Sequence, residues 1–310
     1  MSRPVSGVTH RHGNTLLLVS ALLSVALAIA AFTGLENLTG ISQKLSRLAL
    51  YLAPLPFALV LSLRFPVQPL TARVAANIFQ DAGYFVLMIA FRIAFTAVFI
   101  TWVANVYAAH FDYLTWRPGQ NWPVAVRVIL ALLISDLLAW FHHYVRHRVQ
   151  PFWEFHKLHH SQTYLNFFTD FRVHPVDYVI ANLIIVIPQL LVQVDTPTII
   201  LLGIAIQWHT TLYHCSIRTN YGPLRFLLVN PQSHRVHHST CPEHHGKNFG
   251  VIFSIWDRLL GTQYRDENVY PVSGVEPEFP VERSLAEVVS MRPLYRQLIY
   301  PFSRIWKRGP

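Results

Sequence analysis

The sequence predicts an all-α integral membrane protein with about four transmembrane helices, a further membrane hairpin and a cytoplasmic helical domain crowded with histidine. Three observations predict it. The chain is 52% hydrophobic and only 13% charged, with mean hydropathy +0.32, whereas soluble domains carry roughly 25% charged residues. Several apolar runs reach the roughly 20 residues that a helix needs to cross a bilayer. Histidines recur at helical spacing: His143 and His147 at i,i+4, His156, His159 and His160 at i,i+3,i+4, and that second pattern again at His234, His237 and His238.

The first span is expected over 15–33, apolar throughout. Arg3 and Arg11 precede it as they would a signal peptide. The run is long for one and no clean A-x-A site follows, so it reads as a retained helix. A second span covers 45–63, where Pro54 and Pro56 imply a kink. A third, 83–106, contains Arg92, which at that depth must snorkel, face the protein interior or meet a headgroup. The fourth starts near Pro123 and ends in the first histidines, placing them just past a membrane boundary. Two apolar runs, 178–194 and 197–213, form the hairpin, and its second arm returns His209 and His214 to the histidine side. The chain divides into N-terminal membrane helices (1–122), a histidine domain (123–262) and a C-terminal tail or cap (263–310).

Charge sets the orientation. Net charge is +9 with pI near 9.8, and cytoplasmic loops of membrane proteins are enriched in Lys and Arg. With the histidines in the cytoplasm, Arg3, Arg11, Arg64 and Arg73 fall on that side. Across the membrane, Lys44 and Arg117 are balanced by Glu36 and Asp112. The basic residues make no continuous stripe, which argues against a nucleic-acid partner. Cys215 and Cys241 make no C-x-x-C, which argues against a thiolate metal site within this chain.

Neutral imidazole is the commonest protein ligand for zinc, iron, copper and nickel. A single histidine on an apolar helix is more often a hydrogen-bonded core residue, but chance does not readily give H-x-x-H-H twice. All 17 histidines except His10, His12 and His110 fall between residues 142 and 245. The eight in the three patterns are about twice what one tetrahedral zinc needs, so two metals are expected. All-nitrogen ligation disfavours magnesium and calcium, and the H-E-x-x-H protease signature is absent. A carboxylate orients a metal-binding imidazole by accepting its free N–H, and Asp136, Asp170, Asp177 and Asp257 are the candidates. For Asp257 a turn or helix cap is an equal reading. Asp136, an acid within an apolar helix, needs a partner.

Beyond spacing, the stretch Asp136–Thr262 resembles the fatty acid hydroxylase/sterol desaturase superfamily of membrane di-iron oxygenases. The resemblance rests on an ordered set of residues. They are Asp136, H-x-x-x-H at His143/His147, W-x-x-H-x-x-H-H-S at Trp153–Ser161, Asn166, R-x-H-P at Arg172–Pro175 and His214. P-x-x-H-R-x-H-H-S at Pro231–Ser239, N-F-G at Asn248–Gly250 and W-D-R-L-x-G-T at Trp256–Thr262 complete it.

The resemblance implies two iron ions held by His143, His147, His156, His159, His160, His214, His234, His237 and His238. They would activate O2 against an unactivated C–H bond of a lipid: a fatty acyl chain, sphingoid base, sterol, ether lipid or aminolipid. Hydroxylation is the leading expectation and desaturation the alternative. The two electrons needed must come from a separate donor of ferredoxin or cytochrome b5 type, since the chain has no G-x-G-x-x-G, no C-x-x-C and no cytochrome b5 segment. The chain departs from the family in two places. His143-Tyr144 stands where the family often has H-R-x-x-H, removing a local basic contact. Thr210, not histidine, lies four residues before His214, and His209 is about 140° off that face. His174, His209 and Asn248 are further candidates for ligand or supporting roles. His142 points away from its neighbour, and His244 and His245 lie in a loop. A metal transporter, a bis-histidine haem protein and a non-catalytic lipid binder fit the spacing less well.

Overall fold

The computed structural model of the protein describes residues 48–119, 121–275, 279–281, 287 and 292–306. The expected span at 15–33 lies outside them. The described residues are helical, with three isolated β-bridges and no strand.

Helix α1 (Pro54–Arg64) continues a turn of helix that begins at Leu48. The prolines interrupt it as expected: Pro54 has no N–H to give, and the preceding turn closes through Ala53 N–H to Ala49 O at 2.9 Å. Helix α2 (Ala72–Phe95) passes through a π turn (Thr96–Ile100) into α3 (Thr101–His110). This unit is longer than the expected 83–106 because its first turns do not belong to an apolar span. Asn77, Gln80 and Asp81 there are buried beneath the histidine domain.

Helix α4 (Val124–Arg148) starts after Pro123 and carries Asp136, His143 and His147. The 39-residue unit Ala72–His110 and α4 are long and apolar enough to cross a membrane, and α1 and Pro175–Leu191 are shorter apolar helices. Both long helices are polar inside and apolar outside. On α4, Ser135, Asp136 and His143 are buried while Ile129, Leu133, Leu138 and Phe141 are exposed; on α2 and the π turn, Asp81 and Arg92 are buried while Val86, Ile93 and Val98 are exposed. An outward apolar face of this extent suits lipid rather than water.

Extended backbone at Val149 ends α4 and turns the chain into α5 (Gln150–His160), so the histidines of the two helices converge. Helices α6 (Pro175–Leu191) and α7 (Thr196–Tyr213) occupy the two apolar runs and are joined by a short link. The Asp195 side chain accepts Thr198 N–H at 3.1 Å to start α7. Ser135 Oγ donates to Ile185 O at 2.9 Å, pinning α4 to α6. Beyond His214 come α8 (Pro231–His237), α9 (Ile255–Leu259) and α10 (Arg292–Trp306).

The link between α5 and α6 is fastened by a buried ion pair. Arg172 Nη1 reaches Asp81 Oδ1 at 3.0 Å, with the two side chains 1% and 0% exposed. Asp81 also accepts from Gln162 and from Asn166 Nδ2 at 2.7 Å. Arg172 also donates to Ser161 Oγ at 3.0 Å. Arg92 is likewise buried, on Gln207 Oε1 at 2.6 Å and the Asp170 carbonyl at 2.8 Å. Both arginines therefore serve internal partners, and neither is free for a lipid headgroup.

Candidate metal centre

Each histidine is delivered by a local device. On α4 and α5, the i,i+3,i+4 spacing puts successive imidazoles on one face. Helix α8 is started by a capping box: Asn230 accepts from Gln232 and Ser233 N–H at 3.1 and 3.0 Å, and Asn230 N–H donates to Ser233 Oγ at 3.2 Å. That seven-residue helix exists to present His234, His237 and His238 together.

The structure gathers all nine histidines expected as ligands into two groups. His143, His147, His156, His160 and His237 form one; His159, His214, His234 and His238 form the other, each with ring nitrogens within 4.8 Å. Eight of the nine are buried, and His147 is half-buried.

Ring-nitrogen contacts test whether metal fits. His143 Nδ1 donates to Phe249 O at 2.9 Å, and His156 Nδ1 to Asp177 at 3.0 Å. A neutral imidazole carries one N–H, so both Nε2 atoms hold lone pairs, yet they face each other at 3.1 Å. No described residue donates to either; a cation would satisfy both. In the second group, Nε2 atoms follow one another at 3.1 Å (His159–His214), 2.8 Å (His214–His234) and 2.9 Å (His234–His238). Two nitrogens bound to one metal at about 2.0–2.1 Å, and roughly at right angles, stand about 2.9 Å apart. The buried Nε2 atoms of His147, His160 and His237 have no hydrogen-bond partner, the condition of a ligand atom awaiting its metal.

Electrostatics favour the ligating form. Burial holds His156, His159, His160, His234 and His238 well below the ordinary histidine range, helped by neighbouring imidazoles and, at His156 and His159, by Arg146, and pushes His237 down to about 4. All are neutral near pH 7, as metal ligation requires.

The supporting residues divide by what they touch. Asp177 holds His156 directly and is itself held by Arg146 Nε at 2.8 Å. Asp170 Oδ1 lies 3.6 Å from His214 Nδ1, which donates instead to Thr210 O at 2.7 Å. Asp136 and Asp257, two of the candidates for orienting an imidazole, bond none among the described residues, and Asp257 takes the turn role that was its equal reading. Asp136 accepts from Ile252 and Phe253 N–H and Trp256 Nε1 at 2.8–3.0 Å. Asp257 accepts from Phe249 and Gly250 N–H, both at 2.8 Å, and from Trp140 Nε1 at 2.9 Å. Together they clamp the N-F-G loop, whose Phe249 carbonyl orients His143. Asn248 adopts φ 57, a left-handed conformation asparagine tolerates, and ties the loop to Ser233 O at 2.8 Å. The Lys247 carbonyl fixes His237 Nδ1 at 2.9 Å.

His174 and His209 lie outside both groups. His174 uses both nitrogens elsewhere: Nδ1 accepts Val176 N–H at 3.1 Å to cap α6, and Nε2 donates to Leu298 O at 3.0 Å. His209 packs against Tyr213 with ring centroids 5.1 Å apart. His142 is buried on the far side of α4, beside Phe152. His244 bonds Ser239 Oγ at 2.8 Å.

Two substitutions probe this scaffold. A Cβ at Gly250 would lie 2.8 Å from Phe253 O and 2.9 Å from Asp257 Oδ2. Gly250→Ala is expected to cost about 1–3 kcal/mol, read as a lower melting temperature, and to weaken metal retention through the displaced Phe249 carbonyl. Asp177→Asn leaves the shape unchanged but removes the charge that His156 and Arg146 share. Metal affinity should fall about 10–100-fold, measured by chelator competition.

The comparisons with known proteins agree with this geometry. The Fatty acid hydroxylase family model matches residues 128–262. Residues 128–262 are thus similar to a fatty acid hydroxylase domain. The chain is 33% identical over 156 residues to the ornithine lipid hydroxylase OlsE of Rhizobium tropici, covering 50% of this chain and 45% of that one. It is 33% identical over 158 residues to the alkylglycerol monooxygenase of Danio rerio, covering 49% and 32%, and 29% identical over 144 residues to the human alkylglycerol monooxygenase, covering 44% and 32%. The chain thus spans less than half the length of these relatives. No solved structure matches it.

Proposed function

We propose that this fatty acid hydroxylase domain makes the protein a multi-pass membrane lipid hydroxylase with two iron ions, one in each histidine group. The observation that carries this reading is the opposed pair of Nε2 lone pairs on His143 and His156, set within nine converging imidazoles. His143, His147, His156, His160 and His237 would hold one ion, and His159, His214, His234 and His238 the other. When bound, the irons supply reduction of O2 by two external electrons, with one oxygen atom entering a C–H bond and the other leaving as water. Asp177 and the carbonyls of Thr210, Lys247 and Phe249 hold the imidazoles in one tautomer and orientation. Burial keeps water from the oxidant.

The substrate is an amphipathic lipid, in keeping with the ornithine lipid and alkylglycerol named in the relatives' activities. Its apolar part reaches the site laterally, since α4 runs from a lipid-suited outer face to His143. The outward Arg117 is neutralised by Asp112 at 2.7 Å, which supports a cytoplasmic histidine side. A separate ferredoxin or cytochrome b5 type protein supplies electrons. The division 1–122, 123–262 and 263–310 fits this arrangement, with the third segment closing over the second.

A haem would keep two axial nitrogens about 4 Å apart across its ring, whereas these nitrogens cluster four and five at a time. Hydroxylation is favoured over desaturation by the named activities of the relatives. Lipids from cells expressing the protein or its His159→Ala variant test the reading by mass spectrometry. A species heavier by one oxygen, present only with the intact protein, is expected. A species lighter by two hydrogens would assign desaturation instead, and identical lipids would contradict both.

A further inference from the structure

We propose that α10 is a membrane-surface helix that seats the histidine domain on the headgroup boundary of the bilayer. One of its faces is locked to the protein. Gln297, 0% exposed, accepts from Tyr84 Oη of α2 at 2.6 Å and from Arg172 Nη2 at 3.0 Å, and donates to Pro280 O at 2.9 Å. His174, at the foot of α6, donates to Leu298 O at 3.0 Å. Leu294 and Leu298 pack with Tyr84, Leu158 and Phe279.

On the other face Phe302 packs at one edge against Phe155 and His174, with ring centroids 5.3 and 5.6 Å apart, and the stripe otherwise points outward. Tyr295, Ile299, Phe302 and Trp306 follow at i, i+4, i+7 and i+11, one stripe of a helix, and are 66%, 44%, 53% and 88% exposed. Ile305 widens the stripe. Its composition is that of an interfacial helix: aromatic residues on the outer face, with Arg296 exposed beside them and Lys307 and Arg308 next in sequence.

Position decides the occupant. Tyr84 lies where α2 passes from its polar, buried first turns into its apolar outer face. His174 caps the apolar helix α6. Both hold α10, so its outer stripe lies level with the point where the apolar helices begin, beside the lipid-suited face of α2. A bilayer surface fits that level and chemistry; cationic side chains there favour anionic headgroups. The inference rests on the membrane placement of α2 and α6 and is independent of the metal chemistry.

The test uses full-length protein in nanodiscs of mixed zwitterionic and anionic phospholipid, with Cys241 replaced by serine; Cys215 is buried. Nitroxide labels are placed at Tyr295→Cys and Ile299→Cys, with Val98→Cys as a lipid control and Glu243→Cys as a water control. Labels on α10 should be relaxed several-fold more by O2 relative to a water-soluble nickel complex than the label at 243, approaching that at 98. Values matching 243 would overturn the proposal. So would protection from both reagents, which would mean that protein, including a second copy, covers the stripe. Quenching by brominated lipid gives a second readout on otherwise native protein. The portion lost in Trp306→Phe should be quenched, and an unquenched Trp306 would refute the placement.

Discussion

His156→Ala should reduce bound metal from two ions per chain to one and abolish hydroxylation. His156 faces His143 across 3.1 Å and belongs to the five-histidine group, while His159, His214, His234 and His238 stand apart from it. Removing its ring opens one group and leaves the nitrogens of the other in place. His234→Ala should do the converse, since its Nε2 sits between those of His214 and His238 at 2.8 and 2.9 Å. Each change should lower activity by more than about 100-fold, beyond what loss of a merely supporting residue produces. Metal analysis of the purified variants reads the stoichiometry directly. Retention of both ions in either single variant would remove that residue from the ligand set.

Asp81→Ala should be among the most destabilising single changes outside the metal groups, by about 3–5 kcal/mol. It leaves the Arg172 guanidinium, 1% exposed, without its counter-ion in a site that water does not reach. It also frees Gln162 and Asn166, which Asp81 gathers. Those residues follow His160 directly, so the damage should extend to metal retention. Thermal unfolding in detergent checks the first effect and metal content the second. Replacing both Asp81 and Arg172 with leucine should cost less than Asp81→Ala alone, because no buried charge remains unpaired. Equal or greater loss in the double variant would show that hydrogen bonding, rather than charge, holds this link.

Eight of the ligand candidates were legible because helical spacing fixes which side chains share a face, and His214 was nominated only through the family resemblance; the nine fall into two groups without a residue left over. Asp177 could be nominated as an acid in the right region, but its choice of His156 depends on how α6 meets α5. Asp136, an acid in an apolar helix, and Asp257, for which a turn role was an equal reading, were nominated beside it and instead clamp the N-F-G loop. The carbonyls of Thr210, Lys247 and Phe249 were invisible, because every residue has one and only the fold decides which meets an imidazole. His174 resembled a site residue and is a helix cap, a role visible only once Leu298 and Val176 are placed around it. The start of α2 at Ala72 was missed for a related reason. Hydropathy marks the apolar stretch, whereas the polar turns bearing Gln80 and Asp81 are helical through tertiary contacts.

The most direct test of the account is the origin of the oxygen atom in the product. Purified protein reconstituted in lipid, loaded with iron and supplied with a chemical reductant, is incubated under isotopically heavy O2. One heavy oxygen per hydroxylated lipid, absent in His156→Ala, is the predicted result. A product whose new oxygen comes from water, or turnover that persists without O2, would contradict an oxygenase built on these two histidine groups.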